Sequence, residues 1–208
     1  MRVAIVGTGE LAGALADRLL RGGHDVVVFG RTTGSAERLV DLLRTSGPGM
    51  VSASTVGDPL AADLVVLAVP ASSVPDLIEQ YGEELPGQIV VDPTNPAGPE
   101  TELHSPAGFS MAERIAALAP LGTTVVKAFN TIFAATLDGE ESLDVFIATD
   151  DAEARMTMVR LVQSIGCTPI DAGPLHHARA LEAMQWLHQS IQPYLGTRQS
   201  TTIALRLF

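Results

Sequence analysis

The ten residues Val3-Ala4-Ile5-Val6-Gly7-Thr8-Gly9-Glu10-Leu11-Ala12 constrain this chain more than any other stretch. Four uninterrupted apolar residues read as a strand buried on both faces, and Leu11 to Leu20 then carries apolar residues at helical spacing. The turn between them has the spacing G-x-G-x-x-A, and each small residue has a mechanical reason. Gly7 permits the sharp turn, Gly9 lets an anion approach the backbone, and Ala12 keeps the helix close to the strand. The unpaired N–H groups at the helix start face that anion, so strand, turn and helix together predict a dinucleotide pyrophosphate site. Thr8, Glu10 and Leu11 belong to the same turn and are expected beside the two glycines at the cofactor.

The same unit recurs along the chain. Val26 to Phe29, Leu64 to Val69 and Ile89 to Val91 are further apolar runs without in/out alternation, and Val125-Val126, Val145 to Ala148 and Thr168 to Ile170 are weaker ones. Ala36 to Leu43, Ala112 to Leu118 and Ala152 to Ile165 read as helices between them. Strand and helix alternating at this interval predict an α/β fold, a Rossmann-type doubly wound, mainly parallel sheet. From Pro174 to Leu195 the chain reads as one long helix, with Leu181, Met184, Leu187 and Ile191 three or four residues apart, followed by an apolar terminal segment, Ile203 to Phe208. These readings divide the chain into a nucleotide-binding domain over residues 1–172 and a small C-terminal helical segment over 173–208. The terminal segment is expected to pack on its own domain or on a second subunit, since an exposed apolar tail is costly.

The second strand decides between the two nicotinamide dinucleotides. An NAD site places an acidic residue at its end, about 20 residues after the glycines, to hold the ribose 2′-hydroxyl. Here the strand ends Val28-Phe29-Gly30-Arg31-Thr32-Thr33, with no carboxylate. Arg31 offers a fork for a phosphate, and Thr32, Thr33 and Ser35 offer hydroxyl donors, so the residues favour NADP(H) over NAD. Ala68-Val69-Pro70 and Asp92-Pro93-Thr94-Asn95-Pro96 end two further strands and are expected to line the crevice; Asn95 reads equally as a turn former and as a partner of a carboxamide or ribose.

Composition limits the partners. A net charge of −11 and 4% aromatic residues exclude the cationic, stacking surface that nucleic acid requires. No run of about 18 apolar residues exists to span a bilayer, and the first apolar run, Val3 to Val6, is too short for a signal peptide. Cys167 is the only cysteine, which favours a reducing, cytoplasmic setting. Lys127 is the only lysine, the other 12 of the 13 Lys and Arg residues being arginine, and it reads either as a ligand contact or as the partner of a carboxylate such as Asp92. No Ser-His-Asp or Cys-His arrangement and no metal-binding spacing presents itself.

Gly7-Thr8-Gly9, Gly30-Arg31, Asp92 to Pro96, Val126-Lys127-Ala128-Phe129-Asn130-Thr131 and Asp171-Ala172-Gly173-Pro174-Leu175, in this order, resemble the NADPH-dependent reductases of coenzyme F420, a deazaflavin. The resemblance extends over nearly the whole chain, and the same motifs occur in the oxidoreductase domain of the STEAP metalloreductases. It implies hydride transfer between the nicotinamide and a stacked deazaflavin, a reaction that asks for orientation and exclusion of water more than for acid–base groups. It places Ala128, Asn130 and Thr131 at the border of the nicotinamide and the acceptor ring, with His176 and His177 read either as near that ring or as solvent-facing residues. The archaeal-type reductases carry a His where this chain has Asn130, so FMN, FAD, an imine or a carbonyl stay open as acceptors, as does a non-catalytic NADP(H) sensor. With 36 residues after Ala172 the chain has no room for a large substrate domain, and a homodimer formed through the C-terminal helix is expected.

Overall fold

Residues 1–96, 108–139, 141–197 and 199–206 are described by the structure, a computed structural model. Eight strands form one sheet: β1 (Arg2–Val6), β2 (Asp25–Gly30), β3 (Val51–Thr55), β4 (Leu64–Leu67), β5 (Ile89–Asp92), β6 (Thr124–Lys127), β7 (Asp144–Ala148) and β8 (Thr168–Gly173). Their order is β3-β2-β1-β4-β5-β6-β7-β8, and β1 to β6 are all parallel. From β1 the chain first winds one way, to β2 and β3, and then returns to the other side of β1 with β4. The strand order therefore reverses beside β1, where a parallel sheet opens a crevice at its carboxyl ends. At Lys127↔Ala148 the direction flips, and β7 pairs antiparallel with β6 while β8 stays parallel to β7.

Helices cover both faces, which is why the strands are apolar on both sides. On one face Val3, Ile5, Val28 and Val66 pack against α1 (Glu10–Arg21), α2 (Thr33–Leu43), α5 (Ala134–Leu137) and α6 (Ala152–Ser164). On the other, Ala4, Val6, Val65 and Val90 meet α3 (Val74–Gln80), α4 (Met111–Leu118) and the start of α7 (Ala178–Leu195). Arg18 fastens the first layer. Its guanidinium, 4% exposed, donates to the carbonyls of Leu137 (2.7 Å), Gly139 (2.8 Å), Glu141 (2.9 Å) and Ile165 (3.3 Å) and to Cys167 Sγ (3.3 Å). The chain's one thiol is thereby enclosed in a packed layer.

The short helices α3 and α5 were not expected from the sequence, and two further elements differ from its reading. The edge strand β3, Val-Ser-Ala-Ser-Thr, has no apolar run to announce it, because an edge strand with half-exposed side chains has no need of one. The long C-terminal helix begins with a 3-10 turn at Leu175–His177 and turns an unexpected face inward. Its buried residues are Ala178, Leu181, Gln185, His188 and Gln192, whereas Leu187 and Ile191 of the expected apolar stripe are 56% and 37% exposed. Of the terminal segment, Ile203 packs on Phe146, Ala148 and Leu181, and the Leu205 N–H donates to Asp144. Leu207 and Phe208 lie outside the described residues.

Candidate functional site

Strand register brings the predicted residues to one edge. Val6 pairs with Phe29 and with Leu67, and Asp92 with Lys127, so the segments after β1, β2, β4, β5 and β6 emerge side by side. The Gly7 N–H donates to the Phe29 carbonyl at 2.9 Å, drawing the first turn over β2. Gly7 has φ 128°, and a Cβ there would lie 2.1 Å from the Ala68 oxygen, so close approach and conformation both demand glycine. At Gly9 the reason is different. A Cβ there would meet no protein atom within 4 Å, so nothing in the chain itself forbids a side chain, and the space stands free for a ligand. Gly9 is also the N-cap of α1 and makes no side-chain cap, leaving the first N–H groups of the helix to an outside acceptor. Thr8 and Leu11 are half-buried and Glu10 is exposed at this turn; Ala68 and Val69 are half-buried and Pro70 exposed across from it.

At the end of β2, Gly30 makes the turn into α2; a Cβ there would fall 2.4 Å from Ser35 Oγ and 2.7 Å from the Thr32 oxygen. Arg31 and Thr32 are exposed, and among the described residues Arg31 has no ion-pair or hydrogen-bond partner, so its charge is not used within the fold. Thr33 Oγ1 shares a hydrogen bond with Thr55 Oγ1 (3.0 Å), and Ser35 Oγ donates to the Thr32 oxygen (2.7 Å), so both hydroxyls brace the helix start. Arg38 was not singled out from the sequence, yet its guanidinium folds back over Gly34 at that helix start, 3.7 Å from where a Cβ would be. Its place one helical turn after Ser35 is the signal that pointed to it.

The loops after β5 and β6 are knitted together. Asn95 Nδ2 donates to the Asn130 carbonyl (2.7 Å) and Asn130 Nδ2 to Asn95 Oδ1 (2.9 Å), while Asn130 Oδ1 is buried without a partner. Ala128, Asn130 and Thr131 are all buried. Beneath them Lys127, fully enclosed, donates to Asp92 Oδ2 (2.9 Å), Glu182 Oε1 (2.7 Å) and the Thr94 carbonyl (2.5 Å). Of the two readings of Lys127, the structure therefore supplies the ion-pair partner. Glu182 Oε1 also accepts from the Met111 N–H at 2.9 Å, tying α7 to the start of α4. Burial pushes the Glu182 carboxyl above its ordinary range, against the pull of Lys127.

Glu182 and His188 are the residues the sequence reading passed over. His188 lies against the Phe133 ring (centroids 4.6 Å apart), hydrogen-bonds with Thr201 Oγ1 at 2.8 Å and contacts the Thr131 backbone. Burial holds its imidazole below the ordinary histidine value. Through these two residues α7 reaches the underside of the β6 turn, and their spacing with Leu181 and Gln185 was the available signal. His176 and His177 are exposed, edge to face with each other at 4.5 Å, and His177 Nδ1 donates to the Ala172 carbonyl at 2.6 Å. Neither is drawn into the cluster around Asn130. No group of three or more His, Cys, Asp or Glu residues suited to a metal occurs among the described residues.

Comparison with known proteins bears on this arrangement. Residues 2–96 match the family described as NADP oxidoreductase coenzyme F420-dependent. The chain is 34% identical over 186 residues to the metalloreductase STEAP3 of Rattus norvegicus, covering 88% of this chain and 36% of that protein, so it spans about a third of that relative. It is 29% identical to the F420-dependent NADP reductase of Methanothermobacter thermautotrophicus, covering 88% of this chain and 85% of that one. A solved structure described as a putative F420-dependent NADP reductase from Arthrobacter sp. FB24 superposes with a TM-score of 0.83 at 25% identity, over 98% of this chain and 99% of that one. No helix among the described residues is long and apolar enough to cross a membrane.

Proposed function

We propose, from the match of residues 2–96 to the coenzyme F420-dependent NADP oxidoreductase family, that the chain is an NADP(H)-dependent oxidoreductase whose hydride partner is a deazaflavin. The observation that carries the cofactor half is the pairing of an open Gly9 cradle with an unpartnered Arg31 at the end of β2. Gly7, Thr8, Gly9, Glu10 and Leu11 form the turn that takes the pyrophosphate on the N–H groups of α1, and Arg31 with Thr32 and Thr33 takes the 2′-phosphate. Ala68, Val69 and Pro70 line the crevice opposite. Ala128, Asn130 and Thr131, with Asn95, hold the nicotinamide end. NADP(H), when bound, supplies a hydride at the nicotinamide C4, and the protein's share is orientation and a site closed to water. The buried state of residues 127–131 suits that share, and no general acid–base pair is needed. The exposed apolar side of α7, Trp186, Leu187 and Tyr194, is the surface through which the expected homodimer would form.

The acceptor is tested directly. Protein mixed with NADPH and oxidised coenzyme F420 is expected to bleach the deazaflavin absorbance. Full NADPH binding with no bleaching overturns the deazaflavin assignment. Its replacement is then read from parallel arms with FMN and FAD. If NADPH binds and none of the three is reduced, the acceptor is an imine or a carbonyl or the chain is a non-catalytic sensor, and the sensor reading gains.

For the cofactor half, Arg31→Ala is expected to weaken NADPH binding by about 2 kcal/mol, roughly thirtyfold, as the loss of a charge-assisted phosphate contact. NADH affinity should stay near its original value in the same titration. Equal losses for both dinucleotides would show that Arg31 does not read the 2′-phosphate.

A further inference from the structure

Two polar side-chain atoms at the ends of β5 and β6 lie out of water's reach without a hydrogen-bond partner: Thr94 Oγ1 and Asn130 Oδ1. Their residues are 6% and 2% exposed. A buried acceptor with no donor is costly enough that folded chains almost always avoid one. Asn130 is not short of anchoring. Its Nδ2 donates to Asn95 Oδ1 and its main-chain oxygen accepts from Asn95 Nδ2, which fixes the amide with its nitrogen committed and its oxygen idle. The preceding residue, Phe129, is buried with φ 64°, a left-handed backbone that a bulky side chain disfavours. Strain and an idle acceptor in consecutive residues mark a turn whose conformation is completed by something the free chain does not contain.

Resting on the NADP(H) reading above, the geometry points to Asn130 Oδ1 as the acceptor for an N–H of the nicotinamide carboxamide. The turn ends the strand beside β5, on the ligand side of the sheet, and Asn95 and Asn130 already form an amide pair that a third amide extends. A primary amide suits the position because it brings a neutral donor to an oxygen whose companion nitrogen is already used. Contact requires the 128–131 turn to give slightly, and Phe129 starts from the less favoured backbone well. Asn130 thus distinguishes a pyridine carrying a carboxamide from one whose 3-substituent has no N–H.

Calorimetric titration of the full chain with three ligands tests this: NADP+, its 3-acetylpyridine analogue, and adenosine 2′,5′-bisphosphate. The acetyl group keeps the carbonyl and lacks the N–H; the bisphosphate lacks the nicotinamide half altogether. The unaltered chain should bind NADP+ about tenfold more tightly than the acetyl analogue, the worth of one buried hydrogen bond. Asn130→Ala should lose that preference and still bind the bisphosphate as before, which also reports that the variant is folded. Equal affinity of the unaltered chain for the two dinucleotides overturns the assignment, whether ribose or a trapped water meets the acceptor instead. So does a preference that survives Asn130→Ala. Failure of the bisphosphate to bind the unaltered chain overturns the NADP(H) reading itself, a separate outcome because that ligand never reaches Asn130.

Discussion

Lys127→Met lowers the stability of the chain by about 3–5 kcal/mol, the cost of leaving a buried charge uncompensated. The lysine is fully buried between Asp92, itself 0% exposed, and Glu182, and no other cation is bonded to either carboxylate among the described residues. Without it the fully buried Asp92 and the nearly buried Glu182 are left with no cation between them, and the Thr94 carbonyl loses its donor as well. Urea unfolding followed by far-UV circular dichroism gives the change; a loss below about 1 kcal/mol would place the pair among the weak surface bridges. The companion variant has the opposite sign. Two acids share one base, and burial has already raised the Glu182 carboxyl above the ordinary value of a glutamate. Between that value and the raised one, the folded chain keeps a proton on Glu182 that the unfolded chain has released. Stability therefore falls as pH rises through the window. Glu182→Gln keeps an oxygen for Lys127 and for the Met111 N–H and removes the proton linkage. It is expected to be more stable than the unaltered chain above the window and to lose this part of the pH slope.

Gly7→Ala is the second large effect, about 3 kcal/mol from overpacking together with a strained backbone. The methyl would lie 2.1 Å from the Ala68 oxygen, and the φ of 128° is one that alanine rarely adopts. The neighbour is backbone in the middle of the sheet, so no side chain can swing aside. The turn must instead lift off β4, moving Gly9 and the start of α1 with it, and dinucleotide affinity should fall alongside the melting temperature. Gly9→Ala separates the two consequences. No protein atom stands within 4 Å of the added methyl, so stability should hold while the dinucleotide is lost. A Gly7→Ala chain that melts and binds like the original would show that the turn is looser than its geometry.

Much of this arrangement is legible in the residues alone because parallel strands buried on both faces leave an unmistakable mark. Val3 to Val6 and Leu64 to Leu67 are continuous apolar runs for the reason that helices lie above and below them. The turn at Gly7 was legible too, since a close approach to Ala68 is encoded by what is missing from a side chain. What escaped is instructive in its physics. Strand β3 lies at an edge, where Ser52, Ser54 and Thr55 are tolerated and no apolar run is required. Helix α7 was read from its leucines and isoleucine; Leu181 and Met184 of that stripe do pack inward, but Leu187 and Ile191 point outward. Gln185, His188 and Gln192 take the inner side because polar partners, among them Thr201, Thr197 and the Thr131 backbone, wait for them there. Amphipathic spacing tells that a helix has two faces; which one is buried depends on what the rest of the fold offers. The Lys127 triad was half legible for the same reason: Asp92 is a strand neighbour in register, whereas Glu182 arrives from 55 residues further along.

That distance has a consequence for how the chain is made. Synthesis proceeds from the amino end, and units fold as they become available. The glycine turn, Arg31 and β1 to β5 are complete once residue 96 has emerged, and Lys127 can meet Asp92 as soon as β6 is laid down. The second carboxylate, and the helix whose His188 underlies the β6 turn, arrive last. A nascent chain therefore passes through a stage in which the loops after β1, β2, β4 and β5 are finished and the β6 turn still lacks its floor.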